Sequence, residues 1–424
     1  MKYCTRCFYP SNHPLNIIFD KDGVCSGCRV HEEKDNLDWT VRLEKLKKLI
    51  APYKKSSRSI NNCIVPVSGA RDSYFIVHFV KKVLGLNPLL VTYNKHYNTL
   101  LGIRNLSYLK TLFGCPLFTL TVSPNRVKKI TYETLNLMGS MYWHCIAGQT
   151  VFPIQTAYKF KIPLIIWGAH QGIDQVGMFS HIDEVEMTRK YRKEHDLMGY
   201  EAEDLIDKGI LNEEDLQNYL YPHDKEIESV GVRGIYLNNY IRWDSKYQHE
   251  KMIELYGYES NKQQRTFDTY NDVDCYHYSG LHDYIKYLKW GYGKVTDHAS
   301  REIRLRRLNR DEGINLIMEF FDKIPDDIEI FCDWIKIDKK KLISTINKFR
   351  SKKIWTKIDD QWKINDSIIN HRSKNRDLVD KVSFEKIDSC NFDSSSKKTM
   401  QPEIGKYTLI GRGWVEEKSR KEIK

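Results

Sequence analysis

The sequence predicts a doubly wound α/β domain that carries an N-terminal zinc ribbon and leads into a mainly helical C-terminal region. Three observations predict it. Four short apolar runs between residues 63 and 170 alternate with stretches of helical period. Two CxxC pairs stand at the N-terminus with 17 residues between them. Beyond about residue 181 the pattern turns polar, with apolar residues at helical spacing. Continuous apolar strands, each followed by a helix, mean a parallel sheet covered on both faces.

Residues 1–38 read as the ribbon. In Cys4-Thr5-Arg6-Cys7 and Cys25-Ser26-Gly27-Cys28, two thiolates separated by two residues share one knuckle turn. Two knuckles complete a tetrahedral shell suited to Zn2+. A closed four-thiolate site leaves no open position, so this metal shapes the fold and does no chemistry. The chain has 10 cysteines. The others, Cys63, Cys115, Cys145, Cys275, Cys332 and Cys390, stand alone and read as small buried hydrophobes. Cys145 follows His144 directly, and adjacent helical side chains diverge, so no Cys–His pair is expected there.

A connecting helix follows over 39–58, and the α/β domain over 59–185. Its expected strands are Cys63 to Val67, Pro88 to Asn94, Pro116 to Val122 and Ile162 to His170. Helical stripes fill the gaps: Asp72 to Leu84, a run from Leu100 to Phe113, and Asn125 to Phe160. Residues 186–313 are expected to be a mainly helical substrate region, 314–371 a helical module, and 372–424 a polar tail loosened at its serine run.

Net charge is +11, which suits anionic partners such as nucleotides, nucleotide sugars or RNA. The basic clusters fall late, and Arg304, Arg306 and Arg307 read as a charged helix face. No run approaches the roughly 18–20 apolar residues that span a bilayer. The N-terminus lacks the charged and apolar regions of a signal peptide. A cytoplasmic protein without membrane partners is the expectation.

The chemistry concentrates at Val67 to Phe75, VSGARDSYF. A strand, a small-residue turn and a helix N-terminus bring backbone N–H groups and helix-dipole charge to one point, where phosphate binds. In a parallel sheet such turns lie at the carboxyl ends of strands, where ligands bind. The loop is neither GxxxxGK[ST] nor GxGxxG. Ser68 and Ser73 can donate to phosphate oxygens, Arg71 can offset charge, and Asp72 can approach a phosphate-bound metal ion.

Ser68-Gly69-Ala70-Arg71-Asp72-Ser73 resembles the SGGxDS loop of the N-type ATP pyrophosphatases, the PP-loop superfamily. The resemblance implies ATP and Mg2+ as cofactors and adenylation of a substrate oxygen with loss of pyrophosphate. It assigns Arg71, Asp72 and Ser73 to catalysis and the whole loop to ATP. Ala70 departs from the pattern where a second glycine stands, so weakened or altered ATP binding is expected. Over residues 1–371 the layout resembles the N-acetyl sugar amidotransferases of bacterial surface-polysaccharide and flagellin-sugar pathways. The two CxxC pairs, the loop, IPLIIWGAH and HYSGLHDYIKYLKWGYGKVTDHAS carry this resemblance. It implies conversion of an N-acetyl group into an acetamidino group, in O-antigen lipopolysaccharide or flagellin-sugar biosynthesis. Adenylation of the amide oxygen precedes ammonia attack. The ammonia comes from glutaminase and cyclase-like partner proteins, and nucleic acid is not an expected partner.

Further site residues follow from position. Asn94 and Lys95 after the second strand are candidates for adenosine, with a capping role for Asn94 as the competing reading. Gly168 and His170 close the fourth strand, Gly168 near nucleotide and His170 near substrate. Tyr278, His282, Lys289, Lys294, Asp297 and His298 are the substrate-contact candidates, since lysines and aromatic faces suit an anionic sugar. The competing reading is an amphipathic helix with Tyr284, Ile285 and Leu288 in the core. Two other functions stay open: a tRNA-modifying PP-loop enzyme of the thiolation or lysidine type, and a non-catalytic nucleotide-binding scaffold of a glutaminase complex.

Overall fold

The computed structural model describes residues 1–56 and 60–372. The serine run, Cys390 and all of the expected tail except Arg372 lie outside the described residues.

Helix α1 (Ser26–Asn36) and helix α2 (Trp39–Ser56) lead into the sheet. Its strands are β1 (Cys63–Pro66), β2 (Pro88–Tyr93), β3 (Leu117–Leu120), β4 (Leu164–Trp167) and β5 (Arg233–Tyr236). All pairings are parallel, in the order β3-β2-β1-β4-β5. The connecting helices are α3 (Arg71–His78), α4 (Leu100–Leu112), α5 (Pro124–Met138) and α6 (Trp143–Phe160). Helix α3 runs on through a π-turn, Phe79–Val83. Side chains alternate across the strands. Val65, Leu90, Ile166 and Ile235 face Phe75, Val80 and Leu109 on one side. Ile64, Val91 and Ile165 face Phe152, Ile154 and Ala157 on the other. With helices on both faces, the chain reverses its winding between β1 and β4. That switch point is where a ligand crevice forms in such sheets.

Two expectations are corrected. Strand β5 lies inside the segment expected to be mainly helical, so the sheet runs past residue 185. Arg233 and Gly234 hide its apolar signal, and β5 pairs with β4 alone, as an edge strand. The C-terminal module contains an antiparallel hairpin, Trp355–Ile358 with Gln361–Ile364. Its turn is Asp359-Asp360, both at positive φ (48° and 63°), the geometry that closes a two-residue hairpin without glycine. The ribbon also shares its core with distant sequence. Cys4, Phe8, Tyr9 and Val24 pack with Val295, Ile303, Ile314 and Ile368.

Candidate functional site

The loop after β1 folds on itself. The Ser68 N–H donates to Ser73 Oγ at 3.0 Å, and the Ala70 N–H donates to Ser68 Oγ at 3.3 Å. Both hydroxyls are thereby fixed as acceptors and keep their own protons to donate outward. Gly69 turns the chain at φ +85°. Ala70 caps α3 at φ −80°, ψ 172°, an extended conformation open to any residue. The Ser73 N–H donates to Ala70 O at 3.1 Å, and the Arg71 and Asp72 N–H groups at the start of α3 are left without intrahelical acceptors.

Arg71 pairs with the Asp72 carboxylate at 2.8 Å and donates to Asn271 Oδ1. The Asp72 side chain keeps 38% of its exposure. Crowding by protein nonetheless raises its pKa; Arg71 opposes that rise and Asp272 adds to it. Asp272 is thus a carboxylate of the C-terminal half whose charge is felt at the loop.

A cavity of about 410 Å³ opens from this loop. Ser68 and Ala70 line it from β1, Lys95 from β2, Ala169 and His170 from β4, and Tyr236 from β5. Tyr142, which caps α6, and Ile146, Gln149 and Thr150 within it form one wall, and Asp272, Asp274 and Tyr278 form a roof. The roof segment is tied down along the β2–α4 connection. Lys95 pairs with Asp274, the Tyr276 N–H donates to Tyr97 O at 2.8 Å, and Asn98 bridges Cys275. Asp272 sits at φ 54°, a left-handed conformation that aspartate tolerates. Lys294 Nζ holds its carboxylate at 2.6 Å and lies 3.5 Å from the Tyr278 ring centre.

The predicted residues divide. Ser68, Ala70, His170 and Tyr278 line the cavity; Lys294 stands behind Asp272 and Tyr278. His282 stacks on Tyr278 at 5.0 Å and is held neutral, its pKa pushed down to about 3 by burial and by Lys294. Gly168 is not on the cavity wall; a Cβ there would meet Ile76 and Trp243 of the core at 3.0 Å. Asn94 takes its capping role: its Oδ1 accepts from the His96 N–H at 3.0 Å and from Asn98 Nδ2 at 2.6 Å.

Three candidates point elsewhere. Lys289 donates to Met138 O at 2.6 Å, and burial lowers its pKa to about 8. Asp297 ties Tyr9 (3.0 Å), Gln175 (3.2 Å) and Lys286 together. His298 bonds Thr266 Oγ1 at 2.7 Å and Asn271 Nδ2 at 3.1 Å, one step behind Arg71. Asp272, Asp274, Trp167, Tyr191 and Asp196 escaped sequence reasoning. The two roof aspartates bracket one residue in YNDVDC, and that spacing was the available signal. His144 Nε2 and Cys145 Sγ do approach, at 3.4 Å. Both are buried, and burial raises the thiol and lowers the imidazole, so the pair is inert.

The four N-terminal sulfurs fit one metal ion. Cys4, Cys7, Cys25 and Cys28 are buried, with sulfurs all within 4.8 Å of one another. The N–H groups of Arg6, Cys7 and Cys25 donate to Cys4 Sγ at 3.2–3.4 Å, bonds that stabilise thiolate. Of the arginines expected on a solvated face, Arg304 clamps this centre instead, joined by Arg310. Arg304 reaches Cys25 Sγ at 3.3 Å and Gln175 O at 2.6 Å, and Arg310 donates to the carbonyls of Cys4, Thr5, Arg6 and Cys7 at 2.7–3.1 Å. Arg307 pairs with Glu302 and Asp244. From the ribbon side, Lys34 reaches Asp174 at 2.6 Å and His31 reaches Asp174 O at 2.8 Å. Both hold helix α7 (Gln171–Asp174), whose N-cap is His170.

Residues 264–368 match the family model of the LPS biosynthesis protein WbpG-like C-terminal domain. The segment that roofs the cavity is therefore WbpG-like. No curated protein matches the chain. Among solved structures, the chain is similar to the NH3-dependent NAD synthetase from Campylobacter jejuni in complex with the nitrate ion. The identity is 14% over 46% of this chain and 92% of that one, with a TM-score of 0.26. It is also similar to NMN synthetase from Francisella tularensis, at 10% identity over 51% of this chain and 95% of that one, with a TM-score of 0.25. Among the described residues, no helix is long and apolar enough to cross a membrane.

Proposed function

We propose that the chain is an ATP-dependent, AMP-forming C–N ligase that converts the N-acetyl group of a sugar into an acetamidino group for surface-polysaccharide or flagellin-sugar biosynthesis. One observation carries this reading. A phosphate-type loop at the sheet's switch point opens into a cavity whose roof belongs to the WbpG-like segment.

An amide carbon resists ammonia because its nitrogen donates into the carbonyl. Adenylation removes that resistance. The amide oxygen attacks the α-phosphorus of ATP, pyrophosphate leaves, and the oxygen becomes part of a leaving group. Ammonia then forms a bond to the imidate carbon, the C–O bond to AMP breaks, and the amidine retains the added nitrogen. In this reading the Ser68 and Ser73 hydroxyls and the amides of Gly69, Arg71 and Asp72 hold the β- and γ-phosphates, and Arg71 offsets their charge. Asp72, with Asp272 across from it, would hold Mg2+, which supplies charge neutralisation for departing pyrophosphate. Tyr278 and His170 face the acceptor, and Lys294 supports Tyr278 and Asp272 from behind. Cys4, Cys7, Cys25 and Cys28 would hold a structural Zn2+. Ammonia is supplied by glutaminase and cyclase-like partners in the cytoplasm.

The test is direct. The protein is incubated with ATP, Mg2+, an ammonium salt and UDP-linked or free N-acetyl sugars. AMP and pyrophosphate should form, and the sugar should lose about one mass unit as O is replaced by NH. Asp72→Ala should abolish turnover while zinc stays bound. AMP formation that depends on tRNA and ignores sugars would overturn the proposal, as would an absence of turnover with every acceptor.

A further inference from the structure

The end of the cavity beneath β4 and β5 has its own chemistry. Trp167, His170, Tyr191, Tyr221 and Tyr236 form its aromatic wall, with Asp196 beside them. Two buried nitrogens there have no partner: Trp167 Nε1 and His170 Nε2. Buried polar atoms of this kind need an occupant. The roles of both can be assigned. Indole N–H only donates. His170 Nδ1 accepts from the Gly172 N–H at 3.0 Å, and burial keeps the ring neutral by pushing its pKa down to about 4. Its proton therefore resides on Nε2, a second donor.

The nearby cation is already engaged. Arg192 donates to Glu201 Oε1 at 2.7 Å, to Thr150 Oγ1 at 2.8 Å and to Ala147 O at 3.3 Å. Burial raises the Asp196 carboxyl to about pKa 7, with Arg192 pulling it the other way. With the Tyr191 hydroxyl, also buried and unpartnered, this end thus offers three neutral donors, one carboxyl, the His195 ring and aromatic faces, but no lysine or arginine left uncommitted for a phosphate. A planar base fits poorly as well. Tyr236 stands edge-on to His170 at 87°, and the one near-parallel pair, Trp167 and Tyr236, already faces itself at 6.4 Å and 27°.

We propose that this end is a carbohydrate subsite, in which the acceptor's sugar ring packs on the aromatic wall and its oxygens meet Trp167 Nε1, His170 Nε2 and Asp196. It rests on the acceptor being a sugar, as proposed above, and places any phosphate of that acceptor away from this end. Trp167 and Asp196 become specificity-determining residues.

Full-length protein loaded with a non-hydrolysable ATP analogue is titrated with N-acetylglucosamine, N-acetylmannosamine, N-acetylneuraminic acid and UDP-N-acetylglucosamine, by saturation-transfer NMR and calorimetry. Trp167→Phe keeps an aromatic face, though a smaller one, and removes one donor; Asp196→Asn keeps the shape and removes the carboxylate. Each should weaken sugar binding roughly tenfold and leave affinity for the analogue within about twofold. Three outcomes overturn the subsite: unchanged sugar affinity in both variants, a parallel loss of nucleotide affinity marking this as the adenosine end, or no binding by any of the four sugars. If the variants lose sugar binding but no amidine ever forms, the subsite stands and the proposed reaction fails.

Discussion

Adjacent residues in the phosphate loop should respond oppositely to the same methyl group. Gly69→Ala adds a Cβ where φ is +85°, a left-handed conformation that costs an L-residue about 1–2 kcal/mol. The new atom would lie 2.7 Å from Gly102 O and 3.1 Å from Leu106 Cβ. Gly102 belongs to the backbone of α4, so the loop must move instead. Together these terms reach about 2–3 kcal/mol, and a loop displaced from its phosphate contacts should lose about 30-fold or more in ATP affinity. Ala70→Gly removes a methyl where φ is −80°. There glycine costs about 0.4–1 kcal/mol through the unfolded chain, partly offset by its better capping. ATP affinity should stay within about threefold, because the alanine is unstrained. Calorimetry with a non-hydrolysable ATP analogue and urea denaturation followed by circular dichroism measure both effects. A gain of about tenfold in affinity for Ala70→Gly would refute the reasoning, since it would show that the methyl obstructs the phosphate. So would a Gly69→Ala protein that behaves as wild type.

Three other perturbations read the supporting structure. Cys7→Ser should abolish stoichiometric zinc by atomic absorption and lower urea stability, because the sulfurs anchor a core shared with residues 295–368; a metal-free protein of wild-type stability would contradict this. Lys34→Met should cost about 3 kcal/mol by leaving the largely buried Asp174 carboxylate with only His31 beside it. Against the burial that raises it, Lys34 and His31 hold that carboxyl well below its usual range. Its stabilisation is present above about pH 4 and lost as pH falls through the depressed value, so the variant should show a flatter acid limb in urea titrations. Asp196 has the opposite sign. Its folded pKa, near 7, gives stability that is full below about pH 4 and lost as pH rises through 7. The loss is at most about 4 kcal/mol, cut to about 1–2 by solvent access. Asp196→Asn should therefore be the more stable protein at pH 8 and lose that advantage at pH 4, by urea midpoints.

Four strands, the knuckles and the loop were legible because each is local. Apolar runs of four to six residues declare buried parallel strands, and CxxC spacing declares a knuckle without any partner in view. Strand β5 was not legible, since Arg233 and Gly234 leave only two apolar residues in it. The Asp359-Asp360 turn was hidden for a related reason. Its left-handed residues lack the glycine that announces such turns, although the alternation in WTKI and QWKI was present. At the site, the strand-end residues were readable from topology. The roof was not, because Asp272 and Asp274 reach the loop only through pairing with Lys294 and Lys95, contacts between residues far apart in sequence.

The arginines of RLRRLNR show how composition misleads when burial is paired. A charge run usually marks a solvated face, and Arg306 does keep 42% of its side-chain exposure. Arg304, Arg307 and Arg310 are instead spent on sulfur, carboxylate and carbonyl acceptors contributed by the first 30 residues and by Glu302 and Asp244. Guanidinium suits this role because its five donors serve several acceptors in one plane. The consequence reaches the cavity. Arg304 also holds Asp174 O and Gln175 O, and Lys34 holds the same helix from the ribbon side. The backbone that carries His170 is thereby fixed between the cysteine centre and the helix Lys294–Arg304, whose first residue supports the roof. Disturbing the metal centre should therefore alter acceptor binding at His170 before it alters the phosphate loop, which meets the same helix only at one remove, through Arg71, Asn271 and His298.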